Sequence, residues 1–217
     1  MNPSRILQAG QPKTFSQYFD LPFPLAEILL EFDCTLQRRS LDLPKHPYPH
    51  DIEPLQRQLQ RNRNRIELIN ETARREALIA PILFEIAEVA DRRIYVEYAI
   101  NVGEHLRGVL DYYIASPQPR DPSYNLAIIE AKQSDLARGF TQLAVELIAL
   151  DRWTKAETPY LYGIVTTGED WQFGTFDRQG RVITQDPTRY SIPGDLKTLL
   201  EIMLGVIQKS NHLELDH

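Results

Sequence analysis

Three runs dense in Ile, Val, Tyr and Leu occupy the middle of the chain: Arg93 to Val102, Arg107 to Ala115 and Leu126 to Lys132. Such runs, rich in β-branched and aromatic residues, predict three sequential strands. The connection from Ser116 to Ser123 holds Pro117, Pro119 and Pro122 and reads as a loop. From Asp135 to Trp153 the spacing changes, with Leu136, Phe140, Leu143, Leu147 and Leu150 falling three or four residues apart. That is the period of an amphipathic helix packed on a sheet. Tyr160 to Thr166 and Trp171 to Phe176 predict two more strands around a turn at Gly168, and Asp195 to Lys209 a closing helix. Upstream, Leu55 to Ala90 is almost free of breakers and predicts one or two helices, kinked or divided by Pro81. Before it, Pro12, Pro22, Pro24, Pro44, Pro47, Pro49 and Pro54 rule out a long regular element, and only Leu25 to Leu36 looks helical. Strands bracketed by helices, with a long crossover helix over 135–153, predict an α/β layer fold in which part of the sheet is parallel.

Composition narrows the organisation. A chain of 217 residues, 42% hydrophobic, is enough for one compact domain. The expected division is a Pro-rich N-terminal extension (1–54) packed on a main domain (55–210), with a tail at 211–217. There is no run of about 18 uninterrupted apolar residues, and Met1 to Lys13 lacks the basic-then-apolar pattern of a signal peptide. The expectation is a cytoplasmic protein with no membrane partner. A single cysteine, Cys34, permits neither an internal disulfide nor a Cys-rich zinc site. The net charge of −6 weighs against binding a polyanion. Basic residues are nevertheless concentrated: Arg57, Arg61, Arg63 and Arg65 crowd one segment, followed by Arg74 and Arg75. They form either a local basic face or the solvated surface of a helix.

Candidate chemistry lies in the strands. Within Asn125-Leu-Ala-Ile-Ile-Glu-Ala-Lys-Gln133 an apolar strand suddenly carries Glu130 and Lys132. Two residues apart, both leave the same face. In Gly108-Val-Leu-Asp-Tyr-Tyr-Ile-Ala115, Asp111 is the lone charge in an apolar run. Burying charge is costly unless it is paired or holds a metal, so exceptions on neighbouring strands point to one site. Two carboxylates beside an ammonium suit metal-assisted phosphodiester hydrolysis. Asp111 and Glu130, helped by the backbone carbonyl of Ala131, would hold Mg²⁺, for which Mn²⁺ can substitute. Lys132 would orient or deprotonate the attacking water, or stabilise the charge of the transition state.

Gly108-Val-Leu-Asp111, then Ile129-Glu-Ala-Lys132, then Gln142 in the next helix resembles the PD-(D/E)XK nuclease superfamily, closest to the N-terminal nuclease domains of type I restriction endonuclease subunits. Two further segments carry the likeness. Asn70-Glu-Thr-Ala-Arg-Arg-Glu-Ala-Leu-Ile-Ala-Pro81 is similar to the family's first helix with its early acid. Gly163-Ile-Val-Thr-Thr-Gly-Glu-Asp-Trp171 is similar to its fourth-strand hairpin. The resemblance covers about residues 66–177. It implies a restriction-endonuclease-like mixed central sheet flanked by helices, Asp and Glu binding the metal, Lys assisting the nucleophile, and a helical Gln followed four positions later by Tyr. Here the Gln is Gln142, and Glu146 stands where that Tyr would be.

A helical wheel at about 100° per residue, with Leu78 at zero, puts Ile79, Ile82, Ile86 and Val89 within about 100° of each other. Glu71 and Arg75 fall inside this stripe, at about 20° and 60°; Glu76 falls at its edge and Arg74 outside it. Glu71 is thus the acid expected at the site, with Arg75 as its i,i+4 partner or as a phosphate ligand. Arg138, one turn before Gln142, is the other candidate phosphate contact; a solvated helix face is the plain alternative. Trp153 and Trp171 read as core or hairpin packing. The five histidines show no HExxH-like spacing, and there is no Gly-rich phosphate loop. The functional expectation is a Mg²⁺-dependent endonuclease acting on nucleic acid, with DNA as substrate, working alone, as a homodimer or as a subunit of a larger complex. The alternatives are a catalytically silent nuclease-fold module that binds nucleic acid or protein, and an interaction domain whose charges form a salt-bridge network.

Overall fold

A computed structural model describes residues 6–115, 126–130, 135–154 and 158–209, with 126–130 and 209 described as backbone. Helices α1 (Phe15–Phe19) and α2 (Leu25–Leu30) lead into strand β1 (Thr35–Arg38), followed by α3 (Glu53–Arg63), α4 (Glu71–Arg74), a π-helical turn (Arg75–Ile79) and α5 (Ala80–Val89). Then come β2 (Arg93–Asn101), β3 (Arg107–Ala115), β4 (Leu126–Glu130), α6 (Leu136–Trp153), β5 (Tyr160–Thr166), β6 (Asp170–Asp177), β7 (Val182–Ser191) and α7 (Leu196–Lys209). The strands form one seven-stranded sheet in the order β1-β7-β6-β5-β4-β3-β2. β2, β3 and β4 form an antiparallel meander. Crossover helix α6 then returns the chain so that β5 lies parallel to β4, and β5, β6 and β7 form a second meander. The α/β class and the mixed sheet flanked by helices agree with the expectation.

Each face of the sheet has its own core. Leu143, Leu147, Ile148 and Leu150 of α6, with Phe15, Tyr18, Ile28 and Leu29 of α1 and α2, cover one face through Leu161, Val165, Phe176 and Ile183. Ile79, Ile82, Leu83 and Ile86 of the π–α5 segment, Leu55 and Leu59 of α3, and the α7 side chains cover the other through Tyr112, Ile114, Ile164, Trp171 and Phe173. Glycines let the α6 layer approach: a Cβ on Gly174 would stand 2.5 Å from the Phe140 ring.

The N-terminal residues depart from the expectation, first in that a helix, α1, also forms over Phe15–Phe19, where only Leu25 to Leu36 looked helical. The helix expected over Leu25–Leu36 stops at Leu30, and Asp33 adopts a left-handed φ of 56° that turns the chain into β1. β1 pairs in parallel with β7, so this segment supplies an edge of the sheet. The ten-residue β7 itself was not anticipated. Its run Val182-Ile-Thr-Gln-Asp-Pro-Thr-Arg-Tyr-Ser191 is polar and carries Pro187, which cannot donate to a ladder. The register skips between Gln172 and Gly174, and the buried Asp186 carboxylate there accepts from the Leu41 and Thr188 amides at 3.2 and 2.8 Å.

Pro81 is not the sole interruption of the helical region as expected: a break also falls at 64–70, between α3 and α4. Pro81 sits at the start of α5, directly after the π-helical turn. Having no N–H, it cannot donate to the carbonyl of Ala77, and the Asn62 side chain of α3 donates to that oxygen instead, at 2.9 Å.

On the α7 side, the His46 amide donates to the Glu201 carbonyl at 2.9 Å, and a Cβ on Gly205 would collide with the Pro44 carbonyl and the Lys45 backbone. Gly205→Ala should therefore destabilise the protein by about 1–3 kcal/mol despite the better helix propensity of alanine. Chemical denaturation measures it; a stability equal to or above wild type would mean that the 44–46 strap is not packed on α7.

Candidate functional site

Asp111 lies where the alternation of β3 breaks. Leu110 and Tyr113 both face the α6 layer, whereas Tyr112 and Ile114 face the α5 layer, so the strand takes one residue more than strict alternation allows. Across the ladder, Glu97 of β2 is skipped between the pairs Val96↔Tyr112 and Tyr98↔Leu110 and has a left-handed φ of 52°. Asp111 is half-buried at this irregularity. Charged groups reach it from both sides: Arg75 from the π-helical turn and Glu146 from α6 each interact electrostatically with its carboxylate.

The π-helical turn explains where Arg75 goes. One additional residue in the turn slips the helical phase by about 100°, so a uniform wheel cannot be carried back from α5 to α4. Arg75 is half-buried; its Nε donates to the Tyr112 hydroxyl at 3.4 Å, its guanidinium lies 5.0 Å from the centre of the Tyr112 ring, and it pairs with Glu97 at 3.5 Å. Burial alone would lower its pKa. The Tyr112 hydrogen bond and the charges of Asp111 and Glu97 outweigh that and keep it above its ordinary value, so Arg75 is a fixed cation. Arg74, which the wheel put outside the stripe, is half-buried and holds the β5–β6 turn, donating to Glu169 at 3.2 Å and to the Thr167 carbonyl at 3.3 Å. Arg63 pairs with the same Glu169, while Arg57, Arg61 and Arg65 are exposed on and just after α3. Glu71 opens α4 half-buried, beside an Asn70 cap that accepts from the Ala73 amide at 2.8 Å.

The opposite wall belongs to α6. Asp135 caps it, accepting from the Arg138 amide at 3.1 Å. The Arg138 side chain is 62% exposed and makes only a 3.4 Å contact with Asp135. One and two turns further on the same face, Gln142 and Glu146 are buried. Gln142 Nε2 donates to Glu146 Oε1 at 3.0 Å, and Glu146 Oε2, shielded from water, has no hydrogen-bond partner among the described residues. Burial pushes the Glu146 carboxyl well above the usual carboxylate range; the Gln142 hydrogen bond opposes this and the charge of Asp111 adds to it. Sequence reasoning noted Glu146 only as a replaced tyrosine. The available signal was an acid on the apolar stripe of Leu143, Leu147 and Leu150.

Glu130 ends β4, with its backbone beside Thr166 of β5. The β3–β4 pairing reaches Tyr112↔Ile128; one step further in the same register sets Ile129 against Asp111 and Glu130 just beyond. Ala131 and Lys132, and the direction of the Glu130 side chain, lie outside the described residues. Gln142 is thus hydrogen-bonded to Glu146, and Asp111 interacts electrostatically with both Glu146 and Arg75, whereas Arg138 is at the surface. Among the described residues no three His, Cys, Asp or Glu side chains gather as a metal cage. Asp111 and the buried Glu146, which interact electrostatically, offer the hard oxygen chemistry that Mg²⁺ or Mn²⁺ takes. Trp171 is fully buried, its indole donating to the Gly168 carbonyl at 3.3 Å, and Trp153 packs on Tyr98 and Tyr113. No protein-family model matches the chain, and no curated protein matches it.

Because the folded-state pKa of Glu146 is raised, its contribution to stability is fully present below the unfolded value and is lost as pH climbs toward the folded one. Glu146→Gln, which keeps the shape and removes the charge, should therefore gain melting temperature relative to wild type as pH rises from about 4.5 to 8. Melting curves across that range that run parallel would show that the carboxyl pays no burial penalty.

Proposed function

We propose that this protein is a Mg²⁺-dependent nuclease that hydrolyses phosphodiester bonds in DNA, with Asp111, Glu130 and Lys132 at its centre. One observation carries the reading. Asp111 is a half-buried strand acid at a break in alternation, Glu130 ends the neighbouring strand, and Gln142 of the following helix is buried and hydrogen-bonded to Glu146, whose carboxyl feels the charge of Asp111. The β2–β3–β4 meander, followed by α6 and a parallel β5, is a sheet of the kind that the resemblance to the PD-(D/E)XK superfamily implies.

In this reading the carboxylates of Asp111 and Glu130 and the carbonyl of Ala131 hold the cation, which when bound supplies a Lewis acid and a water of lowered pKa. Lys132 orients the attacking water or offsets charge building on the phosphate. Gln142 holds the Glu146 carboxyl in place. Arg75, fixed by Tyr112 and Glu97, presents positive charge beside Asp111, while exposed Arg138 is poised to meet a phosphate at the mouth of the site. An acidic protein can bind DNA this way because phosphate contacts depend on local charge and not on the total of −6.

Purified protein with Mg²⁺ or Mn²⁺ should cut DNA. Asp111→Ala, Glu130→Ala and Lys132→Ala should each lower the rate by about 10²-fold or more while circular dichroism remains unchanged. Equal cutting by wild type and all three variants would trace the activity to a contaminant and refute the assignment.

Binding in the absence of cleavage tests the surface. Arg138→Ala should weaken DNA affinity and flatten the slope of log affinity against log salt by about one unit, whereas exposed Arg189 on β7 should matter little when replaced. Arg75→Ala should also weaken binding. Identical slopes for the Arg138 and Arg189 variants would remove Arg138 from the DNA-binding face.

A further inference from the structure

A carboxyl group with one oxygen hydrogen-bonded and the other both dry and unpartnered is an unusual thing to keep in a helix core. An unsatisfied buried polar atom costs about 1–3 kcal/mol, and leucine would fill the position without that cost. The surroundings make the arrangement more pointed. Glu146 is wholly buried among Leu143, Val145 and Leu147, and its charge interacts with Asp111. The half-buried Asp111 and the wholly buried Glu146 therefore disfavour each other's charged form. Among the described residues Arg75 is the cation tied to this pair, and it reaches Asp111 from the other side of the sheet, where Tyr112 and Glu97 already hold it. Gln142 occupies only Oε1, fixing the carboxyl's orientation and leaving Oε2 as an acceptor.

We propose that Glu146 is a third acid of the site, sharing a divalent cation with Asp111 through its unpartnered Oε2 while Gln142 holds Oε1. This rests on the nuclease reading and deepens it, assigning to α6 a ligand in addition to the strand residues Asp111 and Glu130. A cation held by both carboxylates would offset their mutual repulsion and give the orphaned oxygen a partner. Such oxygen-only coordination suits Mg²⁺ and Mn²⁺ and excludes soft-metal chemistry. Gln142 is then a positioning residue, acting on the cation through Glu146.

Titrating the full chain with Mn²⁺ and following the paramagnetic resonance of the free aqua ion tests this without relying on turnover. Wild type should bind Mn²⁺, Asp111→Asn should lose affinity, and Glu146→Gln should lose about 10-fold or more; Gln142→Leu should lose less, because the ligand stays but is no longer held. Glu146→Asp, which keeps a carboxylate on a shorter stem, should recover part of the loss, an outcome that a purely structural role for position 146 would not give. Circular dichroism and melting temperature of each variant establish that it is folded. If Asp111→Asn loses Mn²⁺ and folded Glu146→Gln binds it as wild type does, Glu146 is not a ligand and the nuclease reading stands. If wild type itself binds no Mn²⁺, the nuclease reading fails and this inference with it.

Discussion

The electrostatic interaction of two carboxyl groups, Asp111 on β3 and Glu146 buried on α6, is the constraint on which the proposed site depends. Most of the molecule is built to place them. The antiparallel meander delivers β3 and β4 side by side, and the parallel β4–β5 pairing requires a crossover helix lying on that face. Hydrophobic packing of α6, through Phe140, Leu143, Leu147 and Leu150, fixes the helix rotation that turns Gln142 and Glu146 inward. A few kilocalories per mole lost at one acid are small against a core of this extent, which is how such a group can be retained.

Two irregularities of the backbone bear on the same place. Glu97 adopts a left-handed conformation opposite Asp111, and the helix carrying Arg75 loosens into a π turn as it passes the sheet. Both devices re-aim side chains that regular structure would have sent elsewhere. Without the skipped pair, Asp111 would be committed to one packed layer. Without the π turn, Arg75 and Arg74 would lie at other angles, and the reach to Tyr112 on one side and Glu169 on the other would change. Pro81 follows directly after this turn, and the Ala77 carbonyl that its missing N–H leaves is satisfied by Asn62 of α3.

Much of this was legible in residue patterns. Strands β2 to β6 and helix α6 fall within one or two residues of where apolar runs and three-to-four spacing put them, because each buries a continuous apolar face. β7 and β1 were not legible: β7 is polar and interrupted by Pro187, and its order comes from pairing with β6 and from the satisfied Asp186, which are tertiary effects. At the site, Asp111 stood out as the lone charge in an apolar run, whereas Gln142 was marked only by the family resemblance; in the structure Gln142 is buried and hydrogen-bonded to Glu146. Arg74 was misplaced because the wheel assumed an unbroken α-helix. Glu146 was underweighted because a family comparison framed it as a missing tyrosine, although the same wheel applied to α6 would have placed an acid in its core.

Diffraction from crystals soaked in Mn²⁺, with an anomalous difference map, addresses the central claim most directly. The account predicts a single strong peak about 2.0–2.6 Å from carboxylate oxygens of both Asp111 and Glu146, with Glu130 turned toward the same ion. A map without a peak there, with Glu130 pointing away from Asp111 and Glu146 Oε2 hydrogen-bonded to a protein group such as Lys132, would contradict it and leave a salt-bridged core in place of a metal site.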